Sequence, residues 1–225
     1  MRLSEILKNN RWYLIPYLTI FLLCVGLLLS YDRATLHLSV NRYHTAFWDS
    51  YFRLVTQLGS GVVIIPLCLL TLCRSYRSFF VCVGSAVGAS LVTQIGKRLI
   101  WTDSPRPSVF FRDLGYDLHI VDNVHLHSTH SFPSGHATGA FAIFTALALL
   151  SKKPFWKVFW LVLALTGSFS RIYLSQHFLV DITVGSLIGT TGAVLVYWWI
   201  SQYSQAWIDR SPLQQLRQKD RPNRV

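Results

Sequence analysis

Six stretches of this sequence, 12–30, 54–73, 78–96, 137–150, 158–170 and 182–200, are predominantly apolar and carry no charged side chain. A helix of about 20 such residues crosses a hydrocarbon core of about 30 Å. The fourth stretch reaches that length when it begins near Ser134. The first lacks the short core and small-residue cleavage site of a removable signal, so it reads as a retained helix. Only 14% of the side chains are charged, against roughly a quarter in soluble domains. The expected fold is therefore all-α, an integral membrane bundle of six transmembrane helices forming a single domain over residues 1–225. Cys24, Cys68, Cys73 and Cys82 all lie within apolar runs and have no metal-site spacing.

The net charge of +11 does not call for a nucleic-acid partner once the cations are sorted by side. The N-terminus, the 74–78 and 151–157 connectors and the basic 201–225 tail hold thirteen of the 21 Lys and Arg residues. That excess marks the cytoplasmic side. Both termini are expected there, with the 97–136 loop, the 31–53 segment and the 171–181 turn on the periplasmic side of an inner membrane. The 31–53 segment, with Phe47, Trp48, Tyr51 and Phe52, reads as interfacial. Tyr197, Trp198 and Trp199 close the last span as an aromatic belt. Gly84 with Gly88, Gly135 with Gly139, and Gly185 with Gly189 stand four apart and permit close helix approach.

The outward connections carry three polar motifs. In Ser170-Arg171, followed by five residues, His177, three residues and Asp181, the histidine and carboxylate share a face if both are helical. A carboxylate on one imidazole nitrogen fixes the tautomer and leaves the other nitrogen as base or nucleophile. A salt bridge that neutralises a buried Asp explains the same pair. Pro133-Ser134-Gly135-His136 opens the fourth span, where free N–H groups hold an anion; an ordinary N-cap is the plainer alternative. Lys97 and Arg106-Pro107 add cations that are costly at a bilayer rim unless an anion meets them. Together these groups suit metal-free phosphoryl transfer: cations and helix-end N–H groups for the charge, one histidine to attack and one to protonate the leaving oxygen.

These motifs resemble those of the type 2 phosphatidic acid phosphatase family, relatives of the vanadium haloperoxidases and of glucose-6-phosphatase. The resemblance implies a phosphohistidine on His177, orientation by Asp181 and a general acid at His136. It also implies phosphate binding by Lys97, Arg106, Ser134, Gly135 and Arg171, without a metal or other cofactor. Eight residues separate Lys97 from Arg106, where the family has six, and the six-residue spacing falls on Leu99. Either the loop bulges by two residues or Arg98 takes the cationic place; Lys97 is preferred, because Arg98 precedes the apolar 99–101 run and can snorkel. Asp181 is expected to raise the pKa of His177, and bound phosphate that of His136.

The loop histidines His119, His125, His127 and His130 read as a polar lid over the head group, with a zinc site on His125 and His127 as the weaker alternative. The leading function is a lipid phosphatase at the periplasmic face, with lipid A (1- or 4′-phosphate) favoured by analogy with compact bacterial relatives. Undecaprenyl diphosphate, phosphatidylglycerophosphate and phosphatidic acid are the alternative substrates. A non-catalytic lipid-phosphate binder or transporter, and a vanadate haloperoxidase, are the readings from other classes.

Overall fold

The computed structural model describes residues 2–212. Four of the tail cations counted above, Arg217, Lys219, Arg221 and Arg224, lie outside the described residues. No strand occurs among the described residues. The helices are α1 (Leu3–Asn9), α2 (Arg11–Ser30), α3 (Arg33–Asn41), α4 (Ala46–Val55), α5 (Gly61–Thr71), α6 (Tyr76–Ile95), α7 (Pro107–Asp113), α8 (Gly135–Leu150), α9 (Pro154–Tyr173) and α10 (Leu179–Ser201).

Four of them, α2, α6 with its continuation to Ile100, α9 and α10, are long and apolar enough to cross a membrane. The second expected span is not straight. Helix α4 runs on as a 3-10 turn, Thr56–Gly59, and meets α5 at a 48° bend. Ser60 is the break: its backbone is extended, at φ −97° and ψ 160°, and its hydroxyl donates to Gln57 O at 2.8 Å. Helix α8 has only 16 residues. Four long helices, one bent pair and one short helix thus stand where six transmembrane helices were expected.

Helix α8 tolerates its shortness because protein surrounds it. Twelve of its 16 residues are buried, packed by α6, α9 and α10, so most of its surface has no lipid thickness to match. Phe141, Ile143 and Phe144 form the core with Val81, Cys82 and Leu161. Hydroxyls join the helices inside it: Thr93 donates to Thr138 at 3.0 Å, and Tyr13 Oη lies 2.6 Å from Thr145 Oγ1. The large aliphatics face outward instead, Leu29 at 84% exposure and Val62 at 74%. Apolar residues outside and hydroxyls inside are what lipid solvent selects.

Glycines allow close approaches of the bundle to the N-terminal end of α8. A Cβ on Gly185 of α10 would lie 2.8 Å from Ser134 O, and one on Gly59 would lie 2.5 Å from His136 O. Helices α6 and α9 finish, and α8 and α10 begin, at this same end. Helix α7 and the 101–134 loop cover it, Phe111 and Leu118 packing on Phe178. At the other end Arg77 pairs with Asp209 at 2.5 Å and caps Ile200 O at 2.7 Å.

Candidate active site

The turn between α9 and α10 brings the nucleophile candidate to this rim. His177 N–H and Gln176 N–H both donate to Arg171 O, at 3.1 and 2.9 Å, and Ser175 takes a positive φ of 52° to allow the reversal. His177 stands before α10, not within it, so it does not meet Asp181 by sharing a helix face. Asp181 is instead the third residue of α10, and its Oδ2 accepts the free N–H of Phe178 at 3.0 Å. The same oxygen accepts from His177 Nδ1 at 3.2 Å. With Nδ1–H so held, Nε2 keeps its lone pair.

A third donor reaches that oxygen. Ser131 Oγ–H makes a short hydrogen bond to Asp181 Oδ2, and the hydroxyl lies 3.4 Å from His177 Nδ1. Ser131 is itself fixed, its N–H donating to Ser104 O at 3.0 Å, while Ser104 Oγ accepts from Phe132 N at 3.1 Å. Ser131, His177 and Asp181 are each at most 2% exposed. Sequence reasoning did not select Ser131, because one serine in a polar loop carries no spacing signal. Its only mark was its place two residues before Pro133.

The cations gather around this pair. Helix α6 does not end at Ile95 but widens into a π-helical turn, Gly96–Ile100, closed by Trp101 N–H on Gly96 O at 2.9 Å. This turn holds Lys97 and takes up part of the two-residue excess between Lys97 and Arg106. Lys97 is 8% exposed, donates to His130 O at 2.9 Å, and lies within the electrostatic reach of Arg106, Arg171 and Asp181. Arg98 is exposed and makes no hydrogen bond or ion pair among the described residues. Lys97 is the residue brought to the cluster.

Arg106 donates from Nε to Thr129 O at 3.1 Å and from Nη1 to Gln176 O and Oε1 at 3.1 and 3.0 Å. Arg171 donates from Nη1 to Thr56 Oγ1 at 2.7 Å, and its Nη2 lies 3.4 Å from Gln176 Oε1. Its Nε is buried with no partner among the described residues, an open donor that an anion would satisfy. Gln176 thus sets one amide oxygen between two guanidinium groups and ties them to the lid through His125 O at 3.1 Å. Neither Gln176 nor Thr56 was legible from spacing.

The helix-end site needs one correction. Ser134 is the N-cap of α8, its Oγ accepting from Ala137 N at 3.3 Å. Its own N–H, counted among the phosphate donors, is taken by Asp181 O at 3.0 Å. The free donors at the positive end of α8 are therefore the N–H groups of Gly135 and His136. The His136 imidazole is half-buried and lies within electrostatic reach of Arg171, His177 and Arg106.

Burial also reverses the pKa shift expected for His177. Its pKa is pushed well below the ordinary imidazole value, first by loss of solvent and then by Arg106, Arg171 and Lys97. Three cations and a dry site outweigh one carboxylate, and neutral His177 is the form that can attack. As for the loop metal, the His125 and His127 rings approach to 4.7 Å, but no three His, Cys, Asp or Glu side chains among the described residues are grouped as ligands.

Known proteins resemble this chain in sequence and in fold. Residues 75–205 match the PAP2 superfamily. A lipid A 4′-phosphatase of Bacteroides thetaiotaomicron is 27% identical over 169 residues, 70% of this chain and 72% of that one. The undecaprenyl-diphosphatase BcrC of Bacillus subtilis is 36% identical over 81 residues, which span 40% of its length. A bacitracin transport permease protein BcrC of Bacillus licheniformis is 38% identical over 80 residues, 35% of its length. Crystal structures of Aquifex aeolicus LpxE (TM-score 0.64, 24% identity, 76% of this chain and 95% of that one) and of a Bacillus subtilis phosphatidylglycerolphosphate phosphatase (0.61, 20%, 87% and 99%) share the fold.

Proposed function

This chain belongs to the PAP2 superfamily, and on that footing we propose that it removes a phosphate from a membrane lipid at the periplasmic face through a phosphohistidine. It is an integral membrane protein and a phosphatase, the activity that the Bacteroides and Bacillus subtilis relatives carry in their names. The reading rests above all on one observation. An imidazole at most 2% exposed, with Nδ1 held by a carboxylate, lies in the field of three buried cations with no carboxylate but its own partner among the groups acting on it.

In the proposed reaction Arg171, Arg106, Lys97 and the N–H groups of Gly135 and His136 receive the equatorial phosphoryl oxygens. His177 Nε2 attacks phosphorus and an N–P bond forms. The P–O bond to the lipid breaks in line, and His136 gives its proton to the departing lipid oxygen. Water then attacks the phosphohistidine, with His136 taking the water's proton. The N–P bond breaks, and inorganic phosphate and free His177 result. Ser134 keeps a supporting place through its hydroxyl, and Asp181 holds the tautomer throughout.

Six crossings with both termini cytoplasmic, α8 and the bent pair included, would set the site at the outer leaflet, where a head group reaches the cradle while its chains stay in lipid. The 97–136 loop would then be the periplasmic cover, and α3 and α4 the interfacial segment. Lipid A is the favoured substrate, supported by the extent of the match to the Bacteroides phosphatase. Phosphate release from purified lipid A, undecaprenyl diphosphate, phosphatidylglycerophosphate and phosphatidic acid tests the reading, with EDTA present and absent. Turnover on at least one lipid, unaffected by EDTA and abolished in His177→Ala, is the expected result; wild-type turnover in that variant overturns the mechanism.

A further inference from the structure

Beyond the two histidines of the proposed reaction, a polar cavity of about 810 Å³ is lined in part by Lys97 and Arg106. Those two side chains, Arg98, His125, His127 and His130 supply its charged and titratable lining, together with Gln94 and small polar groups of the lid. None of His177, His136, Arg171 or Asp181 lines it, so an anion held there is not at the nucleophile. None of the loop aspartates Asp103, Asp113, Asp117 and Asp122 lines it either. Asp113 turns to its neighbour Arg112, at 3.3 Å. The cavity therefore has three cations, three histidines and no carboxylate.

Lys97 and Arg106 are buried, and each now donates to a lid carbonyl, His130 O at 2.9 Å and Thr129 O at 3.1 Å. Arg98 stands beside them with no hydrogen bond or ion pair among the described residues. The field is felt by His127, whose pKa is lowered first by burial and then by Arg106, His125, Arg171 and Lys97. Unneutralised cations at a membrane rim are costly, and a planar guanidinium beside an ammonium suits phosphate oxygens.

We propose that this cavity is a second anion subsite, which holds a second phosphoryl group of the lipid while the first is cleaved at His177. The inference rests on the lipid-phosphatase reading above and narrows its substrate to lipids that carry two phosphates. Lys97 and Arg106 face both subsites, so the two phosphates share them; Arg98 and His127 serve the second alone. The second phosphate can be joined directly to the first, as in a lipid diphosphate, or stand elsewhere on a larger head group, as in a doubly phosphorylated glycolipid. The chemistry recognised is the same.

The test compares kcat/KM on matched pairs in detergent micelles: a prenyl diphosphate with its monophosphate, and a doubly with a singly phosphorylated glycolipid. Wild type is expected to favour the doubly charged member of at least one pair by about tenfold or more, and which pair shows it identifies the source. Arg98→Ala should remove that preference and leave monophosphate turnover within about twofold, the change expected of a side chain that touches only the second phosphate. Equal losses on both members, or no loss on either, overturn the subsite. A binding measurement separates this from failure of the enzymatic reading. In His177→Ala, inorganic pyrophosphate should bind about tenfold more tightly than orthophosphate, with the gap closed in the His177→Ala, Arg98→Ala double variant. Equal binding of the two anions overturns the proposal whether or not any lipid is hydrolysed.

Discussion

Ser131→Ala removes one of three donors on a single carboxylate oxygen and nothing else of consequence. Ser131 is 1% exposed, so no water replaces its hydroxyl readily, and the Asp181 oxygen it leaves keeps only Phe178 N–H and His177 Nδ1–H. A hydrogen bond to a charged group is worth about 1.5–3 kcal/mol. If that loss falls on the orientation of His177 in the transition state, kcat drops by about 10–150-fold. KM should stay within about threefold, because Ser131 bonds to none of the cations of the cradle and truncation removes only a transition-state contribution. The assay is steady-state phosphate release by wild type, Ser131→Ala, Asp181→Asn and the double variant. Because Ser131 acts through Asp181, its removal should cost little once Asp181 is already asparagine. Losses that add in the double variant to within about 0.5 kcal/mol would show that the hydroxyl works independently of the carboxylate, and the argument would fail.

Gln176→Glu turns the amide oxygen between Arg106 and Arg171 into a carboxylate that competes with substrate phosphate. KM should rise by about tenfold or more while thermal stability increases; an unchanged KM would show that the two guanidinium groups are not the phosphate's ligands. Gly59→Ala forces a methyl group to 2.5 Å from His136 O, an overpacking worth about 1–3 kcal/mol. Activity and Tm should both fall, whereas Gly88→Ala, with nothing within 4 Å of the added atom, should hold both within error or raise Tm slightly. His37 is pushed down to about 4 by burial against Phe111 and Phe178, with Asp181 opposing. The unfolded chain, with an ordinary imidazole, takes up a proton below about pH 6.5 that the folded chain refuses, so stability falls on acidification from there and levels off near pH 4. The share of His37 is about 3 kcal/mol, and His37→Phe should make that limb of a Tm-versus-pH curve measured in detergent shallower without abolishing it, because neutral buried His177 contributes to the same limb.

Much of the fold was legible because a bilayer enforces its solvent strictly. Charge-free apolar runs have few other uses, and α2, α6, α9 and α10 fall where the runs at 12–30, 78–96, 158–170 and 182–200 put them. The same signal says less about the second and fourth runs. Hydropathy averages over a window, so it passes across Ser60, where one extended residue turns the chain by 48°. Nor does it tell a helix wrapped in protein from one wrapped in lipid. Helix α8 is apolar throughout, yet twelve of its 16 residues are buried. The separating sign lay in residue size: α8 is rich in Ala and Gly, as a helix gripped by neighbours must be, while α2 carries the leucines that meet lipid.

The site was legible as an inventory and illegible as a circuit. Spacing singled out His177 and Asp181 but misjudged how they meet, since a contact four residues apart can arise from a helix face or from an N-terminal capping turn. Here it is the turn, and the difference has consequences. A capping carboxylate is already committed to Phe178 N–H and recruits Ser131 from a loop some 50 residues away. The direction of the His177 pKa shift was misjudged for a related reason. One carboxylate can be read from the chain, but the dry pocket and the positions of Lys97, Arg106 and Arg171 exist only in three dimensions, and together they hold the imidazole neutral. Pairwise motif reasoning sees the partner that stabilises a charge; folding supplies the burial and the like charges that forbid it. Under the proposed mechanism that asymmetry serves the chemistry, because the cations proposed to receive the phosphate also keep the imidazole free of a proton before it arrives.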